Sequence, residues 1–462
     1  MKLLFYNWDR IDGTVGGGVN VYQRNLFNYL LKNTQHEIYV INSGFTYTRD
    51  HDKKATLIKI DNKISDKIQT FEIINSPVIA PAQQSIKNLR YYIEDMKLYG
   101  IFKDFIKEHG EFDVIHFNNL EGLSINVLKL KEEFPRTKFI FSLHNYFLIC
   151  SKVSLWQTPK SGANRNCIKQ SCAECADCYK KINYGVEIFS RRYFEKVKKI
   201  KGVGRLLKLY TRLSPDSDNV DLYREFEAKN LEYVNKYCDA ILAVSNRVKE
   251  IFVAHGFDEN KVKLSYIGTD VANIQTNTNC ADINSNPFKI IFLGYMNEEK
   301  GFFFLQEALR QMPDELAKNI VLTVAAKYTP RNIMDIMKLN KLKPKFKDII
   351  LQNGYKRDEQ KQLLQGQHLG MVPVMWEDNL PQTAMEQIAY GVPILCSNLG
   401  GASELHSHNP DFTFEAGNVE DFLQKFENII NNRNLLQTYW DSVKPLTTMK
   451  EHVKFLEQVY SN

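Results

Sequence analysis

Short runs of apolar residues alternate along the chain with longer stretches whose apolar residues recur at helical spacing. The first run begins at Leu3, and an amphipathic helix is predicted over Val19–Leu31. Runs without polar alternation are typical of parallel strands that helices cover on both faces. The pattern therefore predicts doubly wound α/β sheets. The predicted strands are Leu3–Tyr6, Ile38–Ile41, Val114–Phe117, Phe139–Leu143, Ala240–Val244, Lys289–Leu293, Val321–Ala325, Ile349–Gln352, Leu369–Pro373 and Pro393–Cys396.

A polar, asparagine-rich stretch at Thr276–Pro287 separates the strands into two series and is predicted to be a linker. The chain has 462 residues, whereas one hydrophobic core rarely serves more than about 250–300 residues. We therefore expect a first domain over 1–275 and a second over 276–445. Residues 150–230 fit neither series and are predicted to be an insertion in the first domain.

The composition narrows the function only slightly. The chain has 60 basic and 54 acidic residues, and its net charge of +6 is too small to indicate a nucleic-acid partner. No stretch approaches the ~18–20 apolar residues of a membrane-spanning helix. The apolar start ends at Asn7, which is too short for a signal peptide. These features predict a cytoplasmic protein with reduced thiols.

Gly16, Gly17 and Gly18 lie between the first predicted strand and the first predicted helix. Backbone amides at a helix start bind anions, and glycine lets a phosphate or sugar approach closely. A flexible tight turn is the alternative interpretation. NAD binding is disfavoured because Val21 stands where the third glycine of a dinucleotide motif belongs, and the second strand ends at Asn42 rather than at an acidic residue.

Two single residues follow predicted strands at positions where ligands bind in open α/β sheets. His144 comes directly after Phe139–Leu143, where it can hydrogen-bond a sugar hydroxyl or transfer a proton. Lys300 lies in the loop after Gly294, where it can neutralise a diphosphate leaving group. A structural histidine and a solvated lysine are the alternatives.

The segment Val372–Glu404 carries the densest pattern. Asp378 precedes a helix predicted from about Pro381, and Glu386 lies within that helix. Carboxylates accept hydrogen bonds from sugar and ribose hydroxyls, so the two can bind different parts of one ligand. The alternative makes Asp378 a helix cap and Glu386 a surface residue.

These features together resemble glycosyltransferase family 4, over nearly the whole chain. The similarity includes the glycine-rich first loop, His144 after its strand, and the Lys300-Gly301 pair. The block from Trp376 to Glu404, with its two acidic residues eight positions apart, is the most specific part. The resemblance implies a GT-B fold, in which two Rossmann-like domains face each other across a cleft. It also implies transfer of a hexose with retention of configuration, without a catalytic metal.

The resemblance further implies roles for single residues. In a nucleotide-sugar donor, Glu386 would hold the ribose and Lys300 would hold the diphosphate. Asp378 and the backbone after it would hold the transferred sugar. His144 would reach the donor sugar from the first domain, and residues 446–462 would form a helix that crosses back to that domain. The remaining substrate-binding residues would be Gly16, Gly17, Gly18, Gly294, Tyr295, Asn379, Leu380 and Thr383.

Two departures from the family pattern bear on activity. Asp378 stands where the family usually has glutamate, and Tyr295 where it often has arginine. One cation for the diphosphate is therefore either absent or supplied elsewhere, by Lys327, Lys356 or Arg357. The expected function is sugar transfer to a glycan, lipid-linked or protein acceptor in surface polysaccharide or glycoconjugate synthesis. A non-catalytic glycan-binding protein, or a partner of another transferase, is the alternative.

The predicted insertion has two chemical features. Its cysteines Cys167, Cys172, Cys175 and Cys178 match the ligand count of a structural zinc site, with iron–sulfur less favoured and reduced thiols as the alternative. Lys180–Leu213 has 11 basic residues against two acids, a net charge of +9, interleaved with apolar residues. This pattern is typical of segments that lie on anionic membranes, which predicts a peripheral position at the cytoplasmic membrane face. A solvated helical hairpin is the alternative.

Overall fold

A computed structural model describes residues 1–13, 17–81, 89–150, 153–157, 165–167 and 220–462. The chain divides into two compact units. Residues 1–244, 248–267 and 449–462 form the first unit, and residues 245–247 and 268–448 form the second.

The first unit is built on an eight-stranded sheet in the order β10-β9-β6-β5-β1-β2-β4-β3. Neighbouring strands are parallel, except that β3 is antiparallel to β4. The central strand β1 pairs on both sides, with Leu3 opposite Ile38 of β2 and Val114 of β5. A separate two-stranded sheet joins β7 and β8. The strands are β1 Lys2–Tyr6, β2 Glu37–Ser43, β3 Thr56–Ile60, β4 Ile68–Ile74, β5 Val114–Phe117, β6 Lys138–Leu143, β7 Trp156–Gln157, β8 Arg165–Asn166, β9 Ala240–Ala243 and β10 Val262–Leu264.

Helices connect these strands and cover the sheet, so that the apolar strands are buried on both faces. The described helices are α1 Gly17–Asn33, α2 Leu89–Ile93, α3 Met96–His109, α4 Leu130–Glu133, α5 Val220–Tyr237 and α6 Asn246–Ala254. The last helix of the chain, Met449–Ser461, also belongs to this unit.

The second unit has a six-stranded, fully parallel sheet in the order β13-β12-β11-β14-β15-β16. Its strands are β11 Phe288–Tyr295, β12 Ile320–Lys327, β13 Asp348–Asn353, β14 Leu369–Val372, β15 Ile394–Ser397 and β16 Thr413–Phe414. The helices are α7 Phe302–Gln311, α8 Asp314–Ala317, α9 Ile333–Leu342, α10 Gln360–Leu364, α11 Gln382–Ala389, α12 Val419–Asn431 and α13 Asn434–Thr438, and Met449–Ser461 of the first unit is α14.

The predicted strands agree with the structure to within two residues at each end. Three details of the helices differ. Helix α1 begins at Gly17 rather than Val19, so Gly17 and Gly18 form its first turn. Pro381 has extended backbone (ψ 121°) and caps α11, which begins at Gln382. Asp378 therefore precedes the helix by several residues and is not its cap.

Much of the predicted insertion lies outside the described residues, including the whole basic segment Lys180–Leu213. Among the residues that the structure describes, no helix is long and apolar enough to cross a membrane.

Candidate active site

Two loops at the carboxyl edge of the second sheet lie against each other. The loop after β11 approaches the loop after β14 so closely that a Cβ atom on Gly301 would lie 1.5 Å from the Pro373 carbonyl oxygen. Gly301 also has a positive φ of 72°, which only glycine adopts readily. The Met375 N–H donates to the Glu299 carbonyl at 2.9 Å. Glycine at 301 therefore makes this contact between the loops feasible.

The contact between the loops brings Lys300 and Asp378 together. Lys300 Nζ lies 2.5 Å from Asp378 Oδ2 and 5.3 Å from the centroid of the Trp376 ring. The Asp378 side chain is mostly buried, and that of Lys300 is partly exposed. A cation and a carboxylate are thus in contact at the carboxyl edge of the sheet. A charged ligand that binds there can replace either partner of this ion pair.

Glu377, next to Asp378, has a different environment. Its side chain is 0% exposed, and Arg247 binds it through two nitrogens, Nε at 3.0 Å and Nη2 at 2.7 Å. The Gly400 N–H donates to the same carboxylate at 3.0 Å. A buried carboxylate needs such partners, because an unpaired buried charge is very costly. Glu377 is therefore held in place, and Asp378 is the more available carboxylate of the two.

The turn at Gly400-Gly401 packs directly on the backbone of the loop that carries Asp378. The Gly401 N–H donates to the Asp378 carbonyl at 2.8 Å. A Cβ atom on Gly400 would lie 2.1 Å from that carbonyl oxygen, and one on Gly401 would lie 2.3 Å from the Asn379 carbonyl oxygen. Neither position has room for a side chain, so both glycines are needed to support the loop.

Glu404, which follows this turn, caps the backbone at Asn246 and Arg247, which belong to the second unit. Its carboxylate accepts hydrogen bonds from the N–H groups of Asn246 at 3.0 Å and Arg247 at 2.8 Å. A negative charge at the first turn of a helix satisfies free N–H groups and interacts favourably with the helix dipole. The cap fixes the backbone of Arg247, whose side chain holds Glu377.

Glu386 lies on α11 and is half-buried. The Tyr355 hydroxyl donates to its Oε2 at 3.2 Å. Burial raises the pKa of Glu386, while hydrogen bonds from Gln360 and Tyr355 act in the opposite direction. Burial, followed by the nearby Glu386 charge, also raises the pKa of the Tyr355 hydroxyl. The carboxylate thus keeps an ordered orientation on the helix.

The other residues predicted for this site differ in accessibility. Tyr295 ends β11 and is exposed, next to Gly294 with its φ of 150°. Asn379 and Leu380 are buried to the same degree as Asp378. The Thr383 carbonyl accepts from the Gln387 side chain.

Three cations are candidate substitutes for an arginine at position 295. Of these, Arg357 lies near Glu386, and the positive charge of Arg357 acts to lower the pKa of the Glu386 carboxyl. Arg357 also pairs with Asp270 at 2.9 Å. Lys327 ends β12 and is exposed. Lys356 precedes a short 3-10 helix, where its N–H donates to Glu359 at 2.9 Å.

In the first unit, His144 follows β6 as predicted. Its Nε2 donates to Asn118 Oδ1 at 3.1 Å, and its ring centroid lies 4.9 Å from that of Tyr22. Burial, with a smaller effect of His452, lowers the pKa of His144 to about 3. The imidazole is therefore neutral at pH 7, and its Nδ1 remains an acceptor.

Two further buried histidines connect α14 to other parts of the first unit. His452 Nδ1 donates to the Tyr266 carbonyl at 3.0 Å, which leaves Nε2 to accept from the Tyr22 hydroxyl at 2.8 Å. His116 on β5 contacts the Tyr460 hydroxyl at 2.6 Å and Ser142 Oγ at 2.7 Å. Burial lowers the pKa of His452 to about 4 and that of His116 to about 3. Sequence reasoning did not find these contacts.

The remaining predicted residues are only partly described. Gly17 and Gly18 are exposed in the first turn of α1, and Gly16 lies outside the described residues. Cys167 is partly exposed, and its N–H donates to the Leu155 carbonyl. Cys172, Cys175 and Cys178 lie outside the described ranges, within which no group of three metal-binding side chains is found. The zinc site therefore stays a prediction.

Residues 273–442 match the family described as glycosyl transferases group 1. This part of the chain is a group 1 glycosyltransferase domain. The resemblance to glycosyltransferase family 4 is thereby confirmed, and the protein is a glycosyltransferase that uses a nucleotide-sugar donor. No curated protein sequence matches the chain significantly.

The two parallel-sheet units match solved GT-B glycosyltransferases over the whole chain. The Anabaena protein HepE, solved in complex with UDP, is 13% identical with a TM-score of 0.60, and all of both chains is covered. Sucrose-phosphate synthase from Thermosynechococcus elongatus is also 13% identical, with a TM-score of 0.60 over 100% of this chain and 98% of that one. A UDP-forming trehalose-phosphate synthase from Burkholderia xenovorans is 10% identical, with a TM-score of 0.61 over 99% of each chain. At these identities the similarity establishes the fold.

Proposed function

We propose that this glycosyltransferase moves a hexose from a UDP-sugar to a glycan, lipid-linked or protein acceptor, with retention of configuration. The observation that carries the proposal is the Lys300–Asp378 pair, 2.5 Å apart at the carboxyl edge of the second sheet. Ligands bind at this edge in open α/β folds. One partner of the pair suits a phosphate and the other suits sugar hydroxyls.

In the proposed donor complex, Lys300 exchanges Asp378 for the diphosphate of the donor. The released Asp378 carboxylate then accepts hydrogen bonds from hydroxyls of the transferred sugar. Backbone groups at 379–380 follow Asp378 in the same loop and are proposed to contact the sugar as well. The Arg247–Glu377 pair keeps this loop in position during the exchange.

Glu386 is the proposed ligand of the ribose hydroxyls. Tyr355 and Gln360 orient its carboxylate, and the remaining lone pairs of the two oxygens are the proposed acceptors for the ribose hydroxyls. UDP is the proposed nucleotide because HepE was solved with UDP and with UDP-glucose. Arg357, close to Glu386, is the cation we propose in place of the family arginine at position 295.

Catalysis in this proposal rests on stabilising the leaving group. The bond between the anomeric carbon and the diphosphate oxygen breaks while the acceptor hydroxyl attacks from the same face. The acceptor proton passes to the departing phosphate oxygen, so no separate carboxylate base is needed. Lys300 stabilises the negative charge that develops on the diphosphate. Neutral His144 is proposed to contact the donor sugar as a hydrogen-bonding group.

A donor panel and a matched pair of lysine variants test the proposal. UDP-, GDP-, ADP- and CMP-sugars are compared by thermal shift, and a ligand at 100 times its Kd stabilises by about 2.7 kcal/mol. We expect UDP-sugars to give the largest shift. Release of UDP from the best donor is then measured for Lys300→Ala and for Lys289→Ala, at the opposite end of β11.

Loss of a charge contact to the developing anion should slow Lys300→Ala by about 10²–10³-fold, whereas Lys289→Ala should keep wild-type turnover. Equal turnover in both variants would contradict the donor-site assignment. Binding of UDP-sugars without any release of UDP would favour the non-catalytic alternative.

A further inference from the structure

Helix α9 of the second unit has an unusual outer side. Ile333, Met334 and Met337 are 58%, 61% and 49% exposed. They lie within five consecutive positions, and Leu339 on the opposite side is buried. Apolar residues of this size normally face the core of a globular protein. Here the apolar side chains of the first two turns point to solvent.

Lysines lie among these apolar residues. At 3.6 residues per turn, Ile333, Met337 and Lys341 form one row along the helix, and Met334 and Lys338 form the adjacent row. We call these five residues the α9 surface. Asp335 is the single acid among the ten residues of α9, and its side chain is mostly buried, 3.8 Å from Lys338.

The segment after the helix adds positive charge beside the α9 surface. Lys343 and Lys347 are exposed, and Lys343 is paired with Asp348 at 3.1 Å. Lys345 is held by Asp314 at 3.2 Å. Because Lys343 and Lys345 are each paired with an aspartate, the net positive charge beside the apolar residues comes mainly from the exposed Lys341 and Lys347.

We propose that the α9 surface docks on an anionic lipid membrane. Two interactions hold a helix at a membrane surface: apolar side chains insert between the lipids, and basic side chains attract anionic headgroups. The exposed aliphatic and thioether side chains of α9 and its lysines provide both. Protein–protein interfaces are depleted in lysine and enriched in aromatic residues, methionine and arginine. The α9 surface has two methionines, but it also has two lysines and no aromatic residue or arginine, and its lysines favour an anionic membrane over a protein partner.

Helix α9 lies close to the loop that carries Lys300, so docking through α9 bears on sugar transfer. Asn332, just before the helix, donates from Nδ2 to the Met296 carbonyl at 3.3 Å. Met296 lies in the loop that leads from β11 to Lys300. Docking would place the carboxyl edge of the second sheet near the headgroups, within reach of a lipid-linked acceptor. This consequence rests on the proposed donor site, whereas the docking does not.

Vesicle sedimentation with the full chain tests the proposal. Wild type should bind phosphatidylcholine vesicles that contain phosphatidylserine, and bind vesicles of phosphatidylcholine alone more weakly. Each lysine near an anionic surface contributes about 1 kcal/mol, which is about fivefold in affinity. The double variant Lys338→Gln/Lys341→Gln should therefore bind about 25-fold more weakly. Met334→Ser/Met337→Ser should also lose binding.

The matched control is Lys450→Gln/Lys454→Gln, which removes the same charge from exposed positions of α14. This control should bind the anionic vesicles nearly as tightly as wild type. All variants should keep the wild-type melting temperature and UDP affinity, because the changed side chains are exposed and lie outside the proposed donor site.

Direct contact is measured with Met337→Trp, whose added fluorescence should shift to the blue on anionic vesicles and be quenched by brominated lipid. The proposal is overturned if wild type does not bind anionic vesicles, if the α9 variants bind as tightly as wild type, or if the α14 control loses as much. It is also overturned if the added tryptophan shows neither shift nor quenching. In any of these cases an acidic protein becomes the better candidate for this surface.

Discussion

Replacing Asp378 should separate the binding of the sugar from the binding of the nucleotide. The Asp378 side chain pairs with Lys300 Nζ at 2.5 Å, while its backbone carbonyl accepts from the Gly401 N–H. Asp378→Ala therefore removes the carboxylate and leaves the support of the loop intact. Free UDP and the UDP-sugar then both bind a lysine that no longer has to leave an ion pair, and because the two ligands share this gain it leaves the difference between them unchanged.

The UDP-sugar loses hydrogen bonds to a charged acceptor, which typically contribute about 1.5–3 kcal/mol. The preference for UDP-sugar over UDP should accordingly fall by about 1.5–3 kcal/mol, or roughly 10–150-fold. Calorimetric titration of Asp378→Ala with UDP and with the best UDP-sugar measures both affinities. Equal losses for the two ligands would refute the role of Asp378 as the sugar ligand.

Three further outcomes follow from the structure and the sequence. Arg247→Ala should lower the stability of the second unit by about 3–5 kcal/mol, because the buried Glu377 carboxylate loses its counter-charge. The double variant Arg247→Met/Glu377→Leu should recover most of the melting temperature, and equal melting temperatures of the two variants would contradict this reasoning. His116 and His452 have folded-state pKa values of about 3 and about 4, below the unfolded value of about 6.5. Protonation therefore favours unfolding, and stability should fall as the pH drops from about 6.5 to about 4, by about 1.4 kcal/mol per pH unit for each histidine; urea unfolding of His452→Gln should show a smaller pH dependence, and an unchanged one would be inconsistent. The cysteine cluster is expected to hold one zinc per chain that Cys172→Ser loses, and elemental analysis of metal-replete protein without zinc would exclude the site.

Strands that are buried on both faces were predictable from the sequence, because their apolar runs are continuous. Strand β4 was missed since Gln69, Thr70 and Glu72 interrupt its apolar residues. Strand β3, antiparallel at the edge of the sheet, alternates polar and apolar residues over only five positions. Neither strand has a hydrophobic pattern that identifies it in the sequence, and both become evident only from their pairing with a neighbouring strand.

Local spacing also predicted part of the candidate site. Asp378 and Glu386 are close in sequence, and both lie near the carboxyl end of one strand. Arg247 lies 130 positions before Glu377, and no local pattern connects them. The same holds for Glu404, whose capping of the backbone at Asn246 and Arg247 appears only in the folded unit. Sequence reasoning thus found the residues proposed to touch the donor and missed those that hold them in place.

The claim that the second unit binds the donor nucleotide through Glu386 is tested most directly by calorimetric titration of UDP. Glu386→Gln keeps the size of the side chain and an acceptor for Tyr355, but removes the charge. With a loss of about 1.5–3 kcal/mol for a charged hydrogen bond, UDP should bind about 10–100-fold more weakly. Glu427→Gln, an exposed position on α12, should bind UDP like wild type. Wild-type affinity in Glu386→Gln would contradict the account.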